Sequence, residues 1–212
     1  SKRPDLSPIL DILEEQGDEI FRDADSIALE IDMDKEIVKR VFAFAEKYHK
    51  PVFAVVSNMS IAVERRDFLR SCACFVCNQQ EAGILFSEDY EGKTPAELET
   101  VLAHHVQAAA LPGIVVTMGE QGAVYATLDG ERGWCPAKRV DVKDTTGAGD
   151  AFFAGVTMGL TYGKTLAESC TIGARLAASV ICTSENVCPR FLPSEFGLKA
   201  PDSDDGQLAL EL

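Results

Sequence analysis

Between Asp34 and Val180 the chain alternates two kinds of apolar spacing, and this alternation constrains the fold more than any other feature. Ile37, Val38, Val41, Phe42, Ala45 and Tyr48 form one helical stripe from Asp34 to His49, and Pro51–Val56 follows as an apolar run of strand length. Cys72–Cys77 reads as a second short strand. Thr94-Pro95-Ala96-Glu97 is a capping box with proline at the first helical position, opening a helix that runs to Ala110. Gly113–Met118 is the next apolar strand. Ala123–Thr127 and Arg132–Cys135 then flank Asp129-Gly130, a hairpin signal. Thr165-Leu166-Ala167-Glu168 caps a further helix through Ile172, Leu176 and Val180. Strands separated by helices of this length predict right-handed crossovers and a mostly parallel sheet covered on both faces, a three-layer α/β/α arrangement. In such sheets ligands sit at the carboxyl ends of the strands.

One stretch carries chemistry directly. Arg139-Val140-Asp141-Val142 alternates like a strand, and Phe152, Phe153, Val156 and Leu160 recur at helical spacing. Between them lies Asp144-Thr145-Thr146-Gly147-Ala148-Gly149-Asp150. A turn of such small residues lets the first N–H groups of a helix approach an anion, whose charge the helix dipole favours. An aspartate on the same turn can face an incoming hydroxyl. That arrangement suits phosphoryl transfer, with Asp150 as base and the amides of Gly147, Ala148, Gly149 and Asp150 around the γ-phosphoryl oxygens.

Composition removes several classes. With 212 residues and 46% hydrophobic content, one substantial core is expected. A net charge of −14 argues against nucleic acid as a partner, and it requires any phosphate site to be neutralised locally. The longest apolar runs fall far short of a membrane span. No charged-then-apolar leader opens the sequence, and its seven cysteines fit a reducing cytoplasm better than a disulfide framework. Cys72, Cys74 and Cys77 invite a zinc reading. On a strand, however, Cys72 and Cys74 would share one face and Cys77 the other, as buried cysteines do. Trp134 reads as a packing residue beside the hairpin.

The ordered run Asp144–Phe153 closely resembles the C-terminal signature of the ribokinase-like (PfkB) family of carbohydrate and nucleoside kinases, and the resemblance extends from about Ala24 to Pro193. It implies the ribokinase-like fold and ATP-dependent phosphorylation of a hydroxyl of a sugar or nucleoside. Asn78-Gln79-Gln80-Glu81 matches the family's Asn-x-x-Glu motif, which implies that Asn78 and Glu81 organise Mg²⁺ and phosphates through water; read alone, the motif is a polar helix start with Asn78 as its cap. Thr117-Met118-Gly119-Glu120-Gln121-Gly122 resembles the nucleotide loop, with Thr117, Gly119 and Gly122 beside the ribose and phosphates. Thr145 and, on the last helix, Ala174 join the nucleotide-binding residues by the same resemblance. Asp144 and the Thr146 carbonyl match a monovalent-cation (K⁺) site completed by carbonyls of Ile181–Asn186, where Arg190 replaces a hydroxyl ligand.

The family's first strands, its substrate lid and its Gly-Gly sugar motif have no counterpart in the chain. Residues 1–198 therefore read as the C-terminal, nucleotide-binding portion of such a kinase, and residues 199–212 as an acidic flexible tail. A homo-oligomer or a complementary N-terminal half is the expected partner. Gly133-Trp134, Thr183–Pro189 and Ala54–Ser57 look most like pseudouridine kinases. The alternative function is a non-catalytic nucleotide-binding fragment, or half of a split kinase.

Overall fold

A computed structural model describes residues 5–141, 143–183 and 191–198. The chain divides into two compact units, 1–138 and 139–212. In the first, helix α1 (Ser7–Asp23) precedes β1 (Ile27–Glu30), α2 (Lys35–Lys47), β2 (Val52–Val55), α3 (Met59–Val63), α4 (Arg66–Ser71) and β3 (Cys74–Asn78). Helices α5 (Gln79–Phe86) and α6 (Pro95–Ala109) lead to β4 (Gly113–Thr117), followed by the hairpin of β5 (Ala123–Thr127) and β6 (Arg132–Cys135).

The six strands lie in one sheet in chain order. Strands β1 to β4 pair in parallel, and β5 and β6 add antiparallel at one edge. The helical crossovers force the parallel part, because a parallel neighbour cannot be reached by a tight turn. The Asp129-Gly130 turn, with Gly130 at φ 98°, permits the antiparallel return. Ala54, Phe75, Cys77, Ile114, Val116, Val124 and Ala126 enter one hydrophobic core with α2, α5 and α6. Phe53, Cys74, Val76, Val115 and Tyr125 alternate with them and are buried too, which is why these strands read as continuous apolar runs.

Most helix starts follow the residues expected. The Thr94 hydroxyl and Glu97 carboxylate close a reciprocal capping box on α6, and Asp34 accepts the N–H groups of Glu36 and Ile37 at the head of α2. Helix α1 carries no cap of this kind. Its apolar face (Leu6, Leu10, Leu13, Phe21) packs on the same core, and Phe21 stacks on Phe44 at 5.1 Å.

Three expectations are corrected. Cys72 is not on a strand; it ends α4, its thiol directed at the Phe68 carbonyl (3.2 Å), and it shares a core with Cys77 while Cys74 faces the other way. Arg139–Asp141 forms no strand: Arg139 and Asp141 are exposed and the segment has no ladder partner among the described residues, Val142 lying outside them. Trp134 is 50% exposed, and its ring N–H donates to the Gln121 carbonyl (2.7 Å) rather than packing inward.

The second unit is built on α7 (Ala148–Thr161) and α8 (Leu166–Ile181), the latter opened by the expected Thr165–Glu168 capping box. The two helices touch backbone to backbone: a Cβ on Gly155 would lie 2.6 Å from the Gly173 Cα. Leu198 is buried against Ile172 and Leu176, and the Arg175 guanidinium sits 4.2 Å from the Phe196 ring centre. The tail 199–212 and residues 184–190, with Arg190, lie outside the described residues.

Candidate active site

At the carboxyl edge of the first unit's sheet, the parallel register sets Asn78 beside Thr117. Both halves of the Asn-x-x-Glu motif engage each other. The Asn78 side chain accepts the Glu81 N–H at 2.9 Å, and the Glu81 carboxylate accepts the Asn78 N–H at 2.7 Å. The motif is thus a capping box that fixes a half-buried carboxylate at the mouth of the strands. Burial pushes the Glu81 carboxyl above its usual value, the Asn78 N–H opposes this, and the charge of Asp32 adds to the rise.

Asp32 belongs to none of the sequence motifs. It follows β1 and accepts the Ser57 N–H at 3.1 Å, tying the ends of β1 and β2 together. The Arg65 guanidinium holds the same turn through the carbonyls of Ile31 (3.0 Å) and Met33 (2.5 Å). The available signal was positional: an acid directly after an apolar strand, at the ligand-binding edge of a parallel sheet.

Asn78, Thr117 and Gly119 line a cleft of about 870 Å³, together with Gln79, Ser87 and Tyr90. This volume lies in the range of small-molecule sites. The Thr117 hydroxyl makes only a 3.5 Å approach to the Cys77 carbonyl, so it remains available to a ligand. Gly122 lies against the hairpin instead. Its φ is 95°, and a Cβ there would meet the Cys135 carbonyl oxygen at 2.1 Å, which accounts for a glycine without a ligand.

In the second unit, the Asp144 carboxylate accepts the Thr146 N–H at 2.8 Å, and that bond holds its carboxyl below the usual range. The Ala148 N–H donates to the Thr145 carbonyl at 3.2 Å, Gly147 turns the chain at φ 79°, and Ala151 makes the first helical bond, to the Gly147 carbonyl, at 2.9 Å. Among the described residues nothing accepts the N–H groups of Gly149 and Asp150, and both residues are exposed. Two free amides and a carboxylate therefore share the first turn of a 14-residue helix. The Ala148 amide, expected in the same cradle, is committed to the turn.

The monovalent-cation residues are partly engaged in the same way. Asp144 serves Thr146, and the Ile181 carbonyl accepts the Lys143 N–H at 2.8 Å. Ala174 is buried on α8, 9% exposed. The thiols of Cys72, Cys74 and Cys77 are all raised by burial, Cys74 to about 12, so they stay protonated and are poor metal ligands.

A mostly parallel six-stranded sheet with polar motifs at its carboxyl edge and, in the second unit, a glycine turn opening a long helix are features of the three-layer ribokinase-like fold. The chain belongs to the pfkB family of carbohydrate kinases, whose family model matches residues 7–189. It is 32% identical over 187 residues to guanosine-inosine kinase of Exiguobacterium acetylicum, covering 88% of this chain and 61% of that protein. It is 30% identical over 119 residues to pseudouridine kinase of Escherichia coli K12, covering 56% of this chain and 37% of that protein. The structure of Arabidopsis thaliana ribokinase, complexed with ribose and ATP, superposes with a TM-score of 0.70 at 22% identity, covering 80% of this chain and 54% of that one. The chain thus spans about three-fifths of the length of the guanosine-inosine kinase. The family match includes α1, upstream of Ala24, where the motif-level resemblance begins.

Proposed function

We propose that the chain carries the nucleotide and catalytic-base portion of an ATP-dependent kinase acting on a hydroxyl of a sugar or nucleoside, with a nucleoside the favoured acceptor. The observation that carries this reading is the exposed Asp150 carboxylate beside the unpaired N–H groups of Gly149 and Asp150 at the head of α7. The nucleoside preference rests on the 32% identity over 88% of the chain to a guanosine-inosine kinase. The likeness to a pseudouridine kinase supports the same preference, and so does the resemblance of Gly133-Trp134, Thr183–Pro189 and Ala54–Ser57 to that class.

In the reaction, the acceptor oxygen bonds to the γ-phosphorus, the bond from that phosphorus to the β,γ-bridging oxygen breaks, and ADP leaves. The acceptor proton passes to Asp150. A free aspartate has a pKa near ~3.9 and cannot ionise an alcohol beforehand. In a loose transition state the hydroxyl becomes acidic only as its bond to phosphorus forms, so a late transfer to a positioned carboxylate suffices. The N–H groups of Gly149 and Asp150 are aimed at negative charge without reorganisation. Asn78 and Glu81 suit a hydrated Mg²⁺, because that ion keeps several waters and needs few carboxylates; the half-buried Glu81, its ionised form disfavoured as it stands, gains from a neighbouring cation. When bound, Mg²⁺ neutralises phosphate charge. Thr145, Gly119 and Ala174 are assigned to the nucleotide, and Asp144 with the Thr146 carbonyl to K⁺.

A non-catalytic fragment finds no support, since base, amides and the Asn78–Glu81 motif are all intact. Among the described residues no helix is long and apolar enough to cross a membrane, and the buried reduced cysteines fit a cytoplasmic setting. Strand β1 pairs only with β2 among the described strands, which leaves an edge for a second copy or a complementary chain. ADP release measured with guanosine, inosine, pseudouridine and ribose tests the assignment. Faster turnover of the nucleosides is expected, and turnover of ribose alone would overturn the nucleoside preference.

A further inference from the structure

Strand β6 carries an aromatic side chain that the core does not explain. Trp134 is the chain's single tryptophan, and half of it stays in water. Its ring N–H is nevertheless committed, donating at 2.7 Å to the carbonyl of Gln121. That carbonyl belongs to the turn Gly119–Gln121, which links β4 to β5. The turn closes on itself through short-range bonds: the Gln121 N–H reaches the Met118 carbonyl at 3.2 Å, the Gly122 N–H the Gly119 carbonyl at 3.1 Å, and the Met118 N–H the Gly122 carbonyl at 2.7 Å. The strand that holds it is itself firmly seated. Trp134 lies opposite the buried Val124, and a Cβ on Gly133 would come within 2.5 Å of the Tyr125 hydroxyl.

The turn has an open side and a held side. At Gly119 (φ 58°), which lines the cleft, a Cβ would meet nothing within 4 Å. At Gly122 a Cβ would lie 2.7 Å from the Ala137 nitrogen and 2.9 Å from the Pro136 carbonyl carbon, so the chain just after β6 presses on the end of the turn. Backbone contact of that kind only repels, and it limits the turn in one direction. The indole bond supplies the attraction that fixes it from the same strand. Two glycines at positive φ leave such a turn free to rearrange, and ordering it during binding would cost affinity. We propose that Trp134 is a positioning residue: its ring N–H, by holding the Gln121 carbonyl, keeps the turn in the form that leaves Thr117 and Gly119 open to the donor nucleotide. This rests on the kinase reading, and it assigns to β6 the preorganisation of a loop that β6 does not itself contain.

The test titrates Mg·ATP calorimetrically into the full chain and into two variants. Trp134→Phe keeps more of the aromatic area and removes the donor. Trp134→His loses more area and keeps the donor, because imidazole overlays the pyrrole ring of indole and sets its Nε2–H where the indole N–H stood. A packing role ranks phenylalanine above histidine, whereas a donor role ranks histidine above phenylalanine. Mg·ATP binding is expected to weaken about threefold to tenfold in Trp134→Phe, the scale of one neutral hydrogen bond, and to return to within about twofold in Trp134→His. Melting curves confirm that both variants fold. A second readout needs no substitution: Trp134 supplies all the indole emission of the chain, and Mg·ATP is expected to change its intensity. Unsubstituted affinity in Trp134→Phe, binding by Trp134→His no tighter than by Trp134→Phe, or emission unaltered at saturating Mg·ATP overturns the inference alone. Failure of the unsubstituted chain to bind Mg·ATP overturns the kinase reading itself.

Discussion

Gly155→Ala probes how α7 is held, and its two opposing effects can be weighed from the structure. A methyl group at this position would meet three backbone atoms of α8: the Gly173 Cα at 2.6 Å, the Gly173 nitrogen at 2.7 Å and the Ile172 carbonyl carbon at 3.0 Å. No rotamer can relieve a clash with backbone, so the helices must separate by roughly 1 Å to bring the 2.6 Å approach to an ordinary contact of about 3.5–4.0 Å. Overpacking of this kind costs about 1–3 kcal/mol. Against it, alanine gains up to about 1 kcal/mol over glycine in a helix interior. The net is a destabilisation of about 1–2 kcal/mol, or a fall of about 2–8 °C in melting temperature for a chain of this size. Differential scanning calorimetry reads it directly. Gly149→Ala is the control, since a Cβ there has nothing within 4 Å, and no such fall is expected. A neutral or stabilising Gly155→Ala would refute the close helix crossing.

Glu81→Gln is expected to raise the Mg²⁺ concentration needed for half-maximal activity; an unchanged titration would leave the motif as a helix cap only. The same substitution has a stability signature. The folded-state carboxyl of Glu81 lies above its unfolded value of 4.5, so the folded protein binds more protons in that window and stability falls as pH rises through it. A glutamine can still accept the Asn78 N–H, so Glu81→Gln should flatten this part of the stability–pH curve, and an unaltered curve would contradict the buried-charge account. Asp144 has the opposite sign: the Thr146 N–H lowers its carboxyl, so its contribution is present above the unfolded value of 3.8 and is lost as pH falls through the lower folded one. Cys72, Cys74 and Cys77 should react with a thiol reagent at neutral pH only after denaturant unfolds the core; fast labelling of the native protein would show that they are not buried thiols. Sedimentation should find the purified chain as a dimer or larger, and a stable monomer would show that the β1 edge recruits no strand.

Much of the fold was legible because local signals agreed with the global pattern. The capping boxes at Thr94 and Thr165 and the Asp129-Gly130 hairpin stand where the residues placed them, each set by side chains within a few positions. Helix α1 went unrecognised, although Leu6, Leu10, Leu13 and Phe21 keep a helical spacing, because its exposed Ile9, Ile12 and Ile20 blur the apolar face. Cys72 was misplaced since a short apolar run does not show where a helix ends and a strand begins. Arg139–Asp141 alternates without pairing among the described residues: alternation describes a surface, and a strand also needs a neighbour. In the candidate site, Asp150, Asn78 and Glu81 could be named from motifs. Asp32 and Arg65 could not, since their roles come from hydrogen bonds to residues 25 to 34 positions away.

The central claim is that the Asp150 carboxylate takes the acceptor proton. Single-turnover phosphoryl transfer by Asp150→Asn in the full-length protein, at saturating Mg·ATP and nucleoside, tests it most directly. Asparagine keeps the shape and the free N–H groups of the helix entry but cannot serve as the base. The account predicts a rate lower by about 10²–10⁴-fold, the usual contribution of a positioned base, with Mg·ATP affinity nearly unchanged. Transfer within about tenfold of the unsubstituted enzyme, below the least such a base contributes, would contradict it.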